Sequence, residues 1–229
     1  MQDYNKLEIT MNKRIFITAT NTDIGKTYTT KLLLREFASR GLRVGVIKPV
    51  ETGVVGGVYL DGEELLKKVQ ELNIEFENIK VEDIVPISYK LPAAPFVASN
   101  AQKFDFKTVD AKVKLLEDRC DILIFEGAGG LLVPVDENNM VVDLIKYYKA
   151  SALLVTHCSL GCINDTLLSK KVLNDLDIKH TVAFNCRESD SSFKDVSEPY
   201  FNKIGFEVLK VSEQIDKICD VLYNLQNKN

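Results

Sequence analysis

The chain has no excess of positive charge and no cluster of basic residues. Its 29 Lys and Arg residues are outnumbered by 33 Asp and Glu, which gives a formal net charge of −4 at pH 7. A nucleic-acid partner normally needs a clustered basic surface, so the composition argues against one. No apolar run approaches the length of a membrane span, and we recognise no signal-peptide pattern at the amino terminus. We therefore expect a cytoplasmic protein with no membrane partner.

The chain also has few cysteines, and they are not arranged as a usual zinc site. The five cysteines are odd in number, and no two form a C-x-x-C pair. Cys158 and Cys162 are four residues apart, but His157 lies too close to them in sequence to complete a usual zinc pattern. We predict reduced, mostly packed thiols.

Short apolar runs alternate with helical patterns along the chain, without internal repeats or low-complexity linkers. Residues 14–19 and 122–125 are nearly continuous apolar runs, as expected of strands buried on both faces. Strands that alternate with helices indicate a parallel sheet. The sequence therefore predicts a single-domain α/β fold with helices on both faces of the sheet. The segment TNTDIGKT (20–27) between the first strand and the first helix makes the predicted fold one of the P-loop NTPase type. We assign this domain to residues 11–229 and treat residues 1–10 as an N-terminal extension that need not be ordered.

The remaining elements follow from the same patterns. Further strands are predicted at residues 44–47, 151–156, 180–184 and 206–210. Helices are predicted at residues 26–40, from about residue 61, and at 105–118, 141–149, 163–175 and 212–226. The segment 82–100 contains three prolines and is predicted to be irregular for much of its length.

The segment between the first strand and the first helix, TNTDIGKT (20–27), indicates a phosphate-binding loop. Backbone N–H groups at the start of the helix would point at phosphate oxygens, and the helix dipole would favour their charge. Lys26 would reach the β and γ phosphates, and the Thr27 hydroxyl would bind Mg²⁺. Thr20 stands where the strict pattern has its first glycine, and the alternative is a plain turn before a helix.

Three further charged residues follow predicted strands or the glycine-rich loop 53–57. Lys48, in KPVETG (48–53), ends the second strand and could neutralise a transferring phosphoryl group, although a solvated lysine is the simpler alternative. Asp61 could bind Mg²⁺ or merely cap the helix that begins there. Glu126 ends a buried strand before the glycines of FEGAGG (125–130), as in a Walker B arrangement, or is a structural acid at a turn.

Two weaker signals lie further along the chain. LGCIN (160–164) opens a helix whose first N–H groups could hold a carboxylate, although a plain glycine turn is equally compatible. Asn185 ends a predicted strand and could hydrogen-bond a base edge, or it is an ordinary turn residue.

Taken in order, TNTDIGKT, KPVETG, Asp61, FEGAGG, LGCIN and Asn185 resemble the dethiobiotin synthetase family. The resemblance implies that ATP drives ureido ring closure on 7,8-diaminononanoate (7,8-diaminopelargonate) with CO₂ or bicarbonate, and that ADP and phosphate are released. A carbamate and a carbamic-phosphoric anhydride would be the intermediates. It also implies a homodimer with shared active sites that serves biotin synthesis, with small molecules rather than nucleic acid or membrane as partners.

The resemblance also assigns roles to individual residues. Lys26 and Lys48 would be catalytic, and Asn185 would bind the adenine. The nucleotide-binding stretch would be Thr22, Asp23, Ile24, Gly25, Lys26, Thr27 and Tyr28. The Mg²⁺ ligands would be Thr27, Asp61 and Glu126. The substrate-binding residues would be Thr52 and Gly129, together with Gly161, Cys162, Ile163 and Asn164 at a helix start of the other subunit.

Three other functions share some of these features. Partition and cell-division ATPases have the same fold, but their signature lysine lies five residues before the P-loop lysine, where this chain has Asn21. Cobyrinate amidases carry a long downstream glutaminase domain for which this chain has no room. A non-catalytic nucleotide-binding regulator would not need Lys26, Lys48 and Glu126 together.

Overall fold

The computed structural model describes residues 13–225. The predicted extension at residues 1–10 lies outside this range, and the assignment of residues 11–229 to one domain stays a prediction. The strands in the described part of the chain are β1 (Lys13–Ala19), β2 (Val44–Ile47), β3 (Val50–Thr52), β4 (Ile87–Tyr89), β5 (Ile122–Gly130), β6 (Ser151–His157) and β7 (His180–Asn185).

Ten helices lie between these strands or follow the last of them in the described part of the chain. They are α1 (Lys26–Ser39), α2 (Leu60–Leu72), α3 (Val81–Ile84), α4 (Pro95–Ala98), α5 (Phe106–Glu117), α6 (Val141–Tyr147), α7 (Cys162–Asp175), α8 (Phe193–Val196), α9 (Glu198–Lys203) and α10 (Ile215–Leu225). Short 3₁₀ turns lie at Ile74–Phe76 and Glu188–Asp190.

Five strands form one parallel sheet in the order β2-β5-β1-β6-β7. Consecutive residues of a strand point to opposite faces, and Ile15, Phe16 and Ile17 in β1 are all fully buried. Both faces of the sheet are therefore covered, as the continuous apolar runs predicted. The α/β prediction is confirmed. Because β5 and β6 flank β1, the loops after these three strands meet at one edge of the sheet.

The first helix shows how local sequence fits this packing. Leu33, Leu34 and Phe37 recur at helical spacing, and all three are fully buried in the core. Gly41 has a φ of +81°, as a residue just past a helix end often does, and it marks the end of the first helix.

Three predictions about elements need correction. The strand predicted at 206–210 is absent, because only Lys210 bridges to Phe184 before the chain turns. The segment 82–100 is more ordered than predicted, since it contains β4 and α4. Sequence patterns also missed β3, which pairs with β4 in a separate two-stranded parallel sheet. Three-residue strands are too short to show an alternating pattern.

Candidate active site

A cavity of about 760 Å³ opens at the edge of the sheet where the strands end in their carboxyl direction. In open parallel sheets this edge is where ligands bind. The lining includes many of the predicted site residues, namely Thr22, Asp23, Gly25, Lys26, Thr27, Lys48, Thr52, Asp61 and Gly129. Residues from four separate segments of the sequence thus share one cavity.

The loop between β1 and α1 has the form of an anion site. Gly25 immediately precedes α1 with a φ of +99°, and no side chain caps the first turn of that helix. The N–H groups of the first turn are therefore available to a ligand at the positive end of the helix dipole. A Cβ atom on Gly25 would lie 2.1 Å from Nδ2 of Asn185, so this position requires glycine.

Asn185 connects the end of β7 to the same loop. Its Nδ2 donates a hydrogen bond to the backbone oxygen of Ile24 at 2.8 Å. The side chain thus supports the loop, and its predicted contact with the base stays a prediction. Tyr28 is 46% exposed and lies outside the cavity lining.

Lys26 is buried at the start of α1, next to the cavity. Burial lowers the pKa of Lys26, and the positive charge of Lys48 lowers it further. Within residues 13–225, no carboxylate forms an ion pair with its Nζ. The ammonium group is therefore available to an anionic ligand that would compensate its buried charge.

The three residues predicted as Mg²⁺ ligands, Thr27, Asp61 and Glu126, meet beneath the loop. Thr27 Oγ1 lies 2.9 Å from Asp61 Oδ1 and 2.9 Å from Glu126 Oε1. Because a hydroxyl has one proton, it can donate to only one of these two carboxylates. Sites of Mg²⁺ beside a nucleotide usually combine one or two carboxylates with phosphate oxygens, so these donors suit Mg²⁺.

Lys48 holds the two carboxylates together. Its side chain is 4% exposed, and Nζ lies 2.8 Å from Asp61 Oδ2 and 2.9 Å from Glu126 Oε1. Burial lowers the pKa of Lys48, but the charges and hydrogen bonds of Glu126 and Asp61 outweigh burial and raise it. Lys48 is therefore a charged group inside the site, and the alternative of a solvated lysine is wrong.

Two residues that the sequence analysis did not single out help to build this cluster. Glu51 accepts hydrogen bonds from the backbone N–H groups of Asp61 (3.0 Å) and Gly62 (2.9 Å), so Glu51 caps α2 and Asp61 does not. Burial raises the pKa of Glu51. Thr30 Oγ1 lies 2.7 Å from Glu126 Oε2. An acid inside the quoted motif KPVETG was the available signal for Glu51, whereas nothing in the local sequence distinguishes Thr30.

The predicted substrate-binding residues fall into two groups. Thr52 and Gly129 line the cavity. Gly161, at the start of α7, is exposed. Neither Gly161 nor the three residues that follow it belong to the lining of the cavity. The Cys162 side chain is fully buried, so a ligand at this helix start would meet backbone N–H groups. One chain therefore does not bring the two groups together.

The structure corrects the prediction of reduced thiols for two cysteines. Cys158 and Cys186 form a disulfide with a Cα–Cα distance of 4.9 Å. They directly follow β6 and β7, whose register places His157 opposite Asn185. Pairing of neighbouring strands thus brings together two cysteines that are 28 residues apart. Cys120, Cys162 and Cys219 are free and buried, as predicted.

Comparisons with known proteins show to which family the chain belongs. A family model described as an AAA domain matches residues 13–219. The ATP-dependent dethiobiotin synthetase BioD of Sulfurovum sp. (strain NBC37-1) is 44% identical over 190 residues, which cover 83% of this chain and 90% of that protein. The chain belongs to the dethiobiotin synthetase family. The synthetase of Wolinella succinogenes is 32% identical over 92% of this chain and 98% of its own length. The synthetase of Methanocaldococcus jannaschii is 34% identical over 89% of this chain and 91% of its own length.

Solved structures share the fold of this family member at low identity. The MinC:MinD cell division protein complex of Aquifex aeolicus matches with a TM-score of 0.51 and 15% identity over 95% of this chain and 97% of that chain. A plasmid partition protein of Borrelia burgdorferi matches with a TM-score of 0.53 and 13% identity over 95% of this chain and 99% of that chain. These likenesses support the P-loop fold and carry no functional argument. Within residues 13–225, no helix is long and apolar enough to cross a membrane.

Proposed function

We propose that the chain is an ATP-dependent ligase that closes the ureido ring of dethiobiotin on 7,8-diaminononanoate, with CO₂ as the carbon source. ADP and phosphate would be the other products, and the reaction would serve biotin synthesis. Membership in the dethiobiotin synthetase family supports this proposal. The observation that carries it is the cluster in which Lys48 pairs with Asp61 and Glu126 beside Lys26 and Thr27.

The reaction needs charge stabilisation more than a covalent nucleophile. One amine of the substrate adds to CO₂ and loses a proton, which gives a carbamate. A carbamate oxygen then attacks the γ-phosphorus of ATP, and the bond to ADP breaks. The second amine attacks the resulting anhydride at carbon and loses a proton, and the carbon–oxygen bond to phosphate breaks as the ring closes. In both later steps negative charge develops on oxygens, which buried ammonium groups stabilise.

Lys26 and Lys48 would provide that stabilisation from two sides. Lys26 begins α1, directly after the phosphate loop, and has no carboxylate partner within the described residues, so it suits the phosphates. Lys48 is held by two carboxylates between the loop and Thr52, so it suits the carbamate or the transferring phosphoryl group. Their fixed positions avoid reorganisation during the reaction.

Thr27, Asp61 and Glu126 would hold Mg²⁺ together with phosphate oxygens. When bound there, the metal would supply positive charge to the β and γ phosphates. The three protein groups already lie within hydrogen-bond distance of one another through Thr27. Their contribution is therefore a prearranged set of oxygen ligands at the inner end of the cavity.

We also propose a homodimer in which a second copy completes the substrate site. The helix start at Gly161 lies outside the cavity of its own chain, while Leu160 beside it is 85% exposed. A second subunit could present this helix start to the substrate carboxylate, since backbone N–H groups at a helix terminus favour an anion.

The activity is tested by phosphate release from ATP and Mg²⁺ in bicarbonate buffer, with and without 7,8-diaminononanoate, while mass spectrometry follows the diamine. Diamine-dependent release with formation of the cyclic urea is the expected result. Lys26→Ala should abolish it, and Lys67→Ala is the matched control, because Lys67 is exposed on α2 away from the cavity. ATP hydrolysis that is indifferent to the diamine would contradict the proposed substrate.

Shared sites are tested by mixing two inactive variants. Lys26→Ala removes the phosphate contact, and Asn164→Asp adds a negative charge where the substrate carboxylate should bind. If each site combines both subunits, a mixed dimer contains one intact site, and mixing should restore activity. Absence of recovery, although light scattering shows mixed dimers, would contradict the shared site.

A further inference from the structure

Arg187 extends from the end of β7 to the phosphate loop. It lies two residues after Asn185, is exposed, and lines the same cavity as Lys26. Its Nη2 donates a hydrogen bond to the backbone oxygen of Asp23. Asp23 has a φ of +56° and precedes Ile24 and Gly25 in the loop. The guanidinium group is thus held against the backbone of the loop, at the exposed outer rim of the cavity.

The charge of Arg187 has no acidic partner among residues 13–225. Its nearest acidic contact is made by its backbone, whose N–H donates to Asp190 Oδ2 at 2.9 Å. A guanidinium group has five N–H donors in a rigid fork, and Asp23 accepts from only one nitrogen. Several donors and a full positive charge are therefore free to bind a ligand in the cavity.

The protein groups in the inner part of the site do not neutralise a polyphosphate, and Mg²⁺ would compensate only part of its charge. Lys48 is paired with Asp61 and Glu126, and the carboxyl group of Glu51 lies nearby. Only Lys26 has a charge there that no carboxylate compensates within the described chain. ATP carries several negative charges, so a second uncompensated cation at the rim would strengthen its binding.

We propose that Arg187 is a nucleotide-binding residue that donates hydrogen bonds to the phosphate chain of ATP from the outer rim of the loop. Arginine forks match phosphate oxygens well because two parallel N–H groups can bind at once. The proposal rests on the proposed function, since it takes ATP as the ligand of this cavity. It adds a contact that the motif TNTDIGKT and Asn185 do not include.

The test measures binding of ATP and of inorganic tripolyphosphate, with Mg²⁺ and without the diamine. Three variants separate the roles of Arg187. Arg187→Ala removes every contact, Arg187→Gln keeps a donor for the Asp23 oxygen but loses the charge, and Arg187→Lys keeps the charge without the fork. Arg35→Ala is the control, because Arg35 is exposed on α1 and does not line the cavity.

We expect the Ala and Gln variants to bind ATP and tripolyphosphate about tenfold more weakly, as is typical for a charge-assisted hydrogen bond. The Lys variant should lose about threefold, and the Arg35 control should bind as the wild type does. The affinity of the wild type should fall more steeply with added salt than that of Arg187→Gln, because one phosphate–cation contact is missing in the variant.

Two results would overturn the inference. If Arg187→Gln binds ATP as the wild type does, then Arg187 only supports the loop through Asp23. If the Ala variant loses ATP affinity but keeps tripolyphosphate affinity, then Arg187 contacts the base or ribose instead. A wild-type protein that fails to bind ATP would contradict the proposed function itself.

Discussion

Replacing Lys48 by methionine should destabilise the protein strongly, because it leaves a buried carboxylate without its cation. The Glu126 side chain is fully buried, and Lys48 Nζ lies 2.9 Å from it. Among residues 13–225, only the hydroxyls of Thr27 and Thr30 would remain within hydrogen-bond distance of the Glu126 carboxylate in the variant. Breaking a buried ion pair by removing one partner typically costs about 3–5 kcal/mol. The exposed part of Asp61 can be solvated instead, so we assign the cost to Glu126.

The cost should be present at mildly acidic and at neutral pH. In the wild type the pKa of Lys48 is raised, so its contribution to stability is fully present below about pH 10.5 and is lost only above its folded pKa. Lys48→Met should therefore lose unfolding free energy at pH 5.5 as well as at pH 8.

Urea unfolding at both pH values measures the effect, without ligands and with circular dichroism as the probe. The double variant Lys48→Met/Glu126→Gln should recover much of the lost stability, because it removes the buried charge as well. Lys67→Met, an exposed substitution on α2, is the control and should change stability by less than about 0.5 kcal/mol. A Lys48→Met protein as stable as the wild type at pH 8, or a double variant no better than the single one, would refute the reasoning.

Other substitutions and reagents test separate parts of the structure. Gly25→Ala should lose about 1–2 kcal/mol of unfolding free energy and weaken ATP binding, since its φ is +99° and a Cβ would meet Asn185; urea unfolding and ATP titration check this. Lys26→Met should lose turnover at least 100-fold in the phosphate-release assay while unfolding at no lower urea concentration. The reason is that burial lowers the pKa of Lys26, so the charge of this side chain opposes folding below about pH 10.5. A Lys26→Met protein that unfolds at a lower urea concentration than the wild type would contradict this account. Thiol titration of denatured, unreduced protein should find three thiols and five after reduction, whereas five before reduction would exclude the Cys158–Cys186 bond.

Much of the fold and of the loop was predictable because the signals are local. The strand–loop–helix order around TNTDIGKT depends on residues adjacent in sequence, and β1, α1 and β2 lie where the apolar runs indicated. The strand predicted at 206–210 was wrong, because the buried residues Leu209 and Val211 hydrogen-bond to the backbone of Phe184 in an isolated bridge that does not continue as a strand. An apolar pattern indicates that a segment is buried. It does not indicate whether the backbone of that segment pairs with a neighbouring strand over several residues.

The sequence by itself determined the strand, loop and helix around TNTDIGKT and the kinds of side chain that follow the strands. Only the tertiary structure decided which of these side chains meet. Lys48 and Glu126 are 78 residues apart, yet β2 and β5 are neighbours in the sheet, so their carboxyl ends place the two charges in contact. Likewise, the place of β7 two strands from β1 lets Asn185 and Arg187 reach the loop. Strand order is set by packing over the whole sheet, and no local pattern of residues records it.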